Sequence, residues 1–280
     1  CPQVEADMWL EKPDEKFSMI KGFSELREPD GEEREYDLFI AVDCAALDRL
    51  GKAQPAFEKA RKTLCIDHHV SNKGYALTNI IDGDASSACE VICRLLDMEK
   101  VSRDAASALY MGIAHDTGVF QYSCTSPDTM RLAAALMEKQ IPYTDILEET
   151  FYKKTYRQNQ VLGKALLESM RLLDGKCIVS VMRQKDMDFF GVTTTDLDGI
   201  VSQMKQTEGI EVAIFLYETD YMEYKVSLRS EKIVDVSKVA SYFGGGGHVR
   251  AAGVTMKGTF HDIVNNLTLH IERQLEGQED

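Results

Sequence analysis

A chain of 280 residues, 44% hydrophobic and 28% charged, carries enough apolar mass for one large or two moderate globular domains. Its net charge of −14, with no basic stripe, argues against a protein that rides long nucleic acid, where phosphate neutralisation dominates affinity. No apolar run reaches the ~18 residues of a membrane span, and the opening CPQVEADMWLEKPDEK has neither the basic flank nor the apolar segment of a signal peptide.

The opening also lacks a Met, so we expect natural residues upstream of it. DLFIAVD (37–43) and TLCID (63–67) then read as buried strands, and ALTNIID (76–82) as a third. SSACEVICRLLDME (86–99) opens with a capping box from Ser87 to Glu90 and continues with helical spacing. RDAASALYMGIAHDTG (103–118) reads as a helix ending at Gly118, and SPDTMRLAAALMEKQ (126–140) as a helix with a capping Ser and Pro. Alternating strands and helices predict an α/β domain over 1–150, a parallel sheet with helices on both faces.

Residues 151–173 form one long helical pattern, read as a connecting helix over 151–172. A second, smaller α/β domain follows over 173–280. KCIVSVM (176–182), EVAIFLYE (211–218), EYKVSLRS (223–230) and AAGVTM (251–256) are its strands, and 194–209 and 236–243 its helices. His261 and His270 lie on a C-terminal helical pattern and read as surface residues, and GQED (277–280) as a frayed end. Lys153, Lys154 and Arg157 read as a solvated helix face.

The seven cysteines, 1, 44, 65, 89, 93, 124 and 177, form no even framework and sit mostly in apolar runs, as reduced thiols of a cytoplasmic protein do. Cys89 and Cys93 share a helical spacing, but no second pair completes a zinc site, so packing is their reading.

In open α/β sheets, ligands bind at the carboxyl ends of the strands. Asp43 ends one apolar run, Asp67, His68 and His69 end the next, and Asp116 ends a helix before a glycine. Taken singly, each has a plainer reading: Asp43 and Asp116 as caps, His68 as a satisfied histidine. Taken together, carboxylates with imidazole and no thiolate suit Mn²⁺ or a similar divalent ion. Far downstream, GGGGHVRAAG (244–253) places four consecutive glycines before His248 and Arg250. Such a run lets backbone N–H groups approach an anion, and its plain alternative is a flexible turn. Arg229 ends an alternating strand, as a solvated residue or a phosphate clamp.

These motifs together, the VD strand end, Asp-His-His, GIAHDTG and GGGGH…AAG, resemble the DHH phosphoesterase family with its type-1 DHH-associated C-terminal domain, from about residue 36 to 256. Size and acidity resemble its nanoRNase/pAp phosphatase branch; both disfavour the long-strand exonuclease branch, and the glycine-histidine motif disfavours the pyrophosphatase branch. The resemblance implies two α/β domains joined by a helix, with the active site in the cleft between them. It implies two Mn²⁺ ions and a metal-activated water. Asp43 matches the bridging carboxylate, and His68 and Asp116 match ligands of the second ion. Asp67 resembles the acid that orients the His68 ring, and His69 a histidine facing the scissile phosphate. Arg229, Gly246, Gly247 and His248 match the substrate grip. The implied substrates are 3′-phosphoadenosine-5′-phosphate (pAp) and very short oligoribonucleotides, with cyclic di-AMP or linear di-adenylate as the runner-up. The implied partners are these short nucleotides, not long nucleic acid or a membrane, and homodimers are common among such proteins.

Two departures stand out. The family's His-x-x-x-Asp-x-Asp motif does not occur before Asp43, and the first histidine of the chain is His68. Either that motif lies upstream, or the chain is a non-catalytic nucleotide-binding member. Val249 and Arg250 also follow His248, where the family commonly has Pro.

Overall fold

The computed structural model describes residues 4–11, 13–32 and 34–277, so Cys1 and the fraying expected at 278–280 fall outside it. The chain divides into two units, Cys1–Lys153 and Lys154–Asp280.

The first unit opens with two short strands, β1 (Met8–Trp9) and β2 (Leu26–Arg27), paired in parallel. Its main sheet is fully parallel in the order β3 (Phe39–Val42), β4 (Thr63–Asp67), β5 (Thr78–Ile81). Thr63, Cys65, Ile66 and Asp67 of β4 are buried, as a central parallel strand requires. β3 departs from the buried strand expected. Only its Ala41 is buried, while Leu38, Ile40 and Val42 stay exposed, because β3 is the edge strand among the described residues.

Helix α1 (Gln54–Lys59) lies in the β3–β4 crossover. The β4–β5 crossover, 68–77, contains no helix. Instead it is tied down by side chains: Leu77 N–H donates to Thr63 Oγ1 at 2.8 Å, and Asn79 bonds both the N–H (3.1 Å) and the C=O (2.7 Å) of Ala76. Helix α2 (Ala88–Leu95) is capped by Ser87, which accepts from Glu90 N–H at 3.0 Å. The reciprocal half of the expected capping box is missing, because the Glu90 carboxylate turns to Ser86 and Thr129.

Ser102 caps α3 (Arg103–Asp116), and Ser126 and Thr129 close a full capping box on α4 (Pro127–Met137). A Cβ on Gly112 of α3 would lie 2.2 Å from Cys89 Sγ of α2, so these helices approach at a distance only glycine permits. Ile113, Leu136 and Ile146 fill the core behind them, with Cys93 among them as a free thiol. Helix α5 (Tyr143–Leu147) runs into a π-helical turn, Glu148–Tyr152.

The single helix expected over 151–173 is therefore interrupted. Thr155 and Gln158 form a capping box that starts a new helix, α6 (Tyr156–Leu167), and β6 (Met170–Leu172) follows. The second unit continues with β7 (Cys177–Met182), α7 (Gln184–Phe190), α8 (Ile200–Lys205), β8 (Val212–Asp220), β9 (Glu223–Ser230), α9 (Val236–Tyr242), β10 (Gly246–His248), β11 (Ala251–Lys257) and α10 (Phe260–Leu275). Gly199, at φ +82°, breaks the helix expected over 194–209 into a 3-10 turn, Thr194–Leu197, and α8.

The sheet order is β10-β11-β9-β8-β7-β6, and only β7 and β8 run parallel. Both faces are covered. Val179, Ile214 and Leu228 pack on one side with α9 and α10, and Ile178, Met182 and Phe215 on the other with α6 and α8. His270 is not the surface residue expected. It is 5% exposed, 4.1 Å from the Tyr242 ring and 5.4 Å from Phe243, in step with the buried Ile263 and Leu267 of its helix.

Candidate metal centre

Asp43 follows β3 with φ +56°, a left-handed conformation that costs an aspartate about 1 kcal/mol or more. Its N–H still donates to Ile66 C=O at 3.0 Å, so the strand end is anchored while the side chain turns away. Asp43 Oδ1 lies 3.4 Å from His68 Nε2 and 3.7 Å from His69 Nδ1.

Asp67 is fully buried at the end of β4. Its Oδ1 accepts from the His68 N–H at 2.8 Å, the His69 N–H at 3.3 Å and His69 Nδ1 at 2.8 Å. Its Oδ2 accepts from Asn72 Nδ2 at 2.6 Å. Burial pushes the carboxyl up, but the hydrogen bonds from His69, Asn72 and the His68 N–H outweigh it and hold Asp67 below its ordinary value. The ring Asp67 orients is thus that of His69, not that of His68 as expected. His68 Nδ1 instead meets the Ala85 carbonyl at 3.3 Å.

Asp116 closes the group from the end of α3, with Oδ2 3.8 Å from His68 Nε2. Burial and the charge of Asp43 push its carboxyl up to about 6, against the pull of His68 and His69. The hydrogen bond to Asp43 raises His68 above its ordinary value, with Asp116 adding to it and burial opposing.

Ligand atoms of Asp43, Asp67, His68 and His69 all lie within 4.8 Å of one another. Among the described residues no lysine or arginine forms an ion pair with Asp43, Asp67 or Asp116. Clustered carboxylates with imidazole nitrogen and no balancing cation fit a divalent metal ion.

Three neighbours escaped the sequence reading. Asn72 Nδ2 also donates to Cys44 C=O at 3.2 Å, and Tyr75 OH to the same carbonyl at 3.0 Å, tying the residue after Asp43 to the crossover. His115 Nε2 donates to Thr150 Oγ1 at 2.9 Å, and its ring lies between Phe17 and Phe151. It lines a cavity of about 240 Å³ with Asp43, Asp116 and Met111. For Asn72 and Tyr75 the available signal was a polar residue in a short strand crossover with no helical pattern.

In the second unit, Arg229 on β9 and His248 on β10 both stand opposite Ala251 of β11. Directly opposite residues share a sheet face, so the two side chains project from one face, two strands apart. A Cβ on Gly245 would lie 2.3 Å from Gly253 O, and one on Gly247, at φ +148°, 2.4 Å from Ala251 O, whereas one on Gly246 meets nothing within 4 Å. Close approach to β11 explains two of the four glycines. Arg250, read as a possible ligand donor, is committed elsewhere: its guanidinium donates to the carbonyls of Lys232 and Val234. Glu211 holds the same loop from its N–H side, accepting from Lys232, Ile233 and Val234 at 3.0, 2.6 and 3.0 Å.

Residues 3–113 match the family model described as DHH family, N-terminal domain, and residues 174–276 that of the DHHA1 domain. The bifunctional oligoribonuclease and PAP phosphatase NrnA of Thermus thermophilus is 28% identical, over 75% of this chain and 63% of that protein. A probable protein of the same name from Streptococcus mutans is 30% identical over 80% of this chain and 72% of its own length. The Bacillus subtilis protein is 27% identical over 82% and 74%. Thus the chain spans under two thirds of the Thermus relative and about three quarters of the other two. An exopolyphosphatase-related protein from Bacteroides fragilis shares the fold, with a TM-score of 0.86 at 22% identity over 95% of this chain and 82% of that one.

Proposed function

The chain belongs to the DHH family, and from that premise we propose that it is a Mn²⁺-dependent phosphoesterase hydrolysing pAp and very short oligoribonucleotides. The observation that carries this reading is the cluster of Asp43, Asp67, His68 and His69, joined by Asp116, with which no lysine or arginine among the described residues forms an ion pair. Asp43, His68 and Asp116 are the residues we assign to the metal. When bound, a divalent ion supplies Lewis acidity, which acidifies water and withdraws charge from a phosphoryl oxygen.

The chain's own residues do the rest. Asp67 holds His69 by Nδ1–H, so Nε2 is the ring atom left to exchange a proton at the scissile phosphate. Its second oxygen, on Asn72, keeps that carboxylate from rotating. In the second unit we assign nucleotide and phosphate binding to Arg229, His248 and the backbone of Gly246 and Gly247. The shared face of Arg229 and His248 supports this, since two side-chain N–H donors on one face suit a phosphate. We propose 1–150 as the DHH domain, 151–172 as the connector and 173–280 as the substrate-binding domain. A cytoplasmic setting is supported by the free thiols, and no helix among the described residues is long and apolar enough to cross a membrane.

The test is hydrolysis of pAp, di-adenylate and cyclic di-AMP by the natural full-length protein, with Mn²⁺ and with EDTA. Turnover of pAp and di-adenylate that EDTA abolishes is expected. Turnover of cyclic di-AMP alone would move the assignment to the cyclic dinucleotide, and no turnover with Mn²⁺ would end it.

A further inference from the structure

Glu90 is fully buried in the first turn of α2, a costly place for a carboxylate unless its oxygens are satisfied. They are. Oε1 accepts from Arg94, while Oε2 accepts from Thr129 Oγ1 at 2.7 Å, Ser86 Oγ at 2.5 Å and the Ser86 N–H at 3.2 Å. That N–H belongs to the peptide unit whose other end is the Ala85 carbonyl. The carbonyl faces His68 Nδ1 at 3.3 Å.

A peptide unit is planar and trans, so its N–H and C=O point in opposite directions, and fixing one end aims the other. A carboxylate at the N–H end also polarises the unit and strengthens the carbonyl as an acceptor. A carbonyl can only accept. His68 therefore carries a proton on Nδ1, and Nε2 is the ring nitrogen that faces Asp43 and Asp116, 3.4 and 3.8 Å away. The turn is braced twice more, by Ala85 N–H on Asp82 C=O at 3.2 Å and by Arg94 on the Asp82 carboxylate.

We propose that Glu90 is a positioning residue for His68, acting through the Ala85–Ser86 peptide to fix its tautomer and ring orientation. The last link, to metal affinity, rests on the reading of His68 as a ligand; the tautomer does not. A residue that merely held α2 and α4 together would contribute stability without touching the state of His68.

The deciding measurement is the ¹⁵N shift of the His68 ring nitrogens in metal-free protein. At a pH where the wild-type ring is neutral, its proton should sit on Nδ1 and leave Nε2 bare. Glu90→Gln should shift the ring toward a tautomer mixture and weaken Mn²⁺ binding about tenfold, the usual effect of losing a partner behind a ligating histidine. Thr129→Val removes a different donor to the same carboxylate. It should lower the melting temperature and leave the His68 shifts unchanged. Should Glu90→Gln fail to fold, Glu90→Asp keeps the charge but draws it back from the peptide, with the same shifts expected. A neutral wild-type His68 that keeps its proton on Nε2 rather than Nδ1, or a folded Glu90 variant with unchanged shifts, would overturn the proposal. Wild-type protein that binds no Mn²⁺ would instead sink the metal reading, leaving the ring shifts to decide this one.

Discussion

Asp67 Oδ1 lies 2.8 Å from His69 Nδ1, whereas the His68 ring turns its Nδ1 to the Ala85 carbonyl at 3.3 Å. Two adjacent histidines thus have separate supports, a buried carboxylate for one and a backbone carbonyl for the other. An anion behind a ring favours proton uptake at its far nitrogen, whereas a carbonyl mainly fixes orientation.

Asp67→Asn should separate those roles. The amide cannot accept from both Asn72 and His69 without losing a bond, so His69 loses its anchor. We expect kcat to fall about 10- to 100-fold with Mn²⁺ affinity nearly unchanged, measured by steady-state kinetics and metal titration. A fall in metal affinity equal to the fall in kcat would count against the assignment.

Asp43 pairs function against stability. Asp43→Gly relieves the φ of +56° and removes a charge facing Asp116. It should raise unfolding free energy by about 1 kcal/mol while lowering turnover about 100-fold or more. Urea denaturation and pAp hydrolysis on the same preparation give both values, and near-normal turnover would refute the role of Asp43.

The glycine run separates backbone need from ligand need. Gly247→Ala forces a Cβ against Ala251 O and should destabilise the second unit by about 1–3 kcal/mol. Gly246→Ala meets no neighbour and should leave the melting temperature within a degree or two. If the run grips a phosphate, Gly246→Ala raises KM, as His248→Ala should, with little change in kcat. Unchanged KM in both would remove the grip.

Asp235 caps α9 through Ser237 and Lys238. Burial pushes its carboxyl up, but hydrogen bonds from Ser237 and from the Lys238 N–H outweigh this and hold it below the ordinary carboxylate value. A depressed folded pKa stabilises above the unfolded value near about 3.9 and ceases to as pH falls through the folded one. Asp235→Ala should therefore cost about 1 kcal/mol at pH 7, a gap that narrows in melting curves as pH falls below the unfolded value. A gap constant across that range would show that the charge plays no part.

Legibility followed periodicity. TLCID, EVAIFLYE and EYKVSLRS were readable because burial on one or both faces dictates every residue in them. The acids at 43, 67 and 116 were readable because apolar runs or a helix stop there. What stayed hidden depended on partners distant in sequence. The capping residues Thr155 and Gln158 look like any polar pair until the helix before them ends. Ser87 and Glu90 spelled a capping box, yet Thr129, 39 positions away from Glu90, competes for the carboxylate. No local pattern assigns Asp67 to His69 rather than His68, since a one-residue difference in direction decides it.

The crossover 68–77 has a consequence for motion. A parallel connection this short usually cannot be made without a helix, and this one is stretched back to β5 with Asn72, Tyr75, Leu77 and Asn79 each fastening it. Such a strap has no slack. The backbone of His68 and His69 cannot swing without pulling on the sheet itself. If these histidines meet the substrate as proposed, discrimination there would be a matter of fixed distance rather than of adaptation.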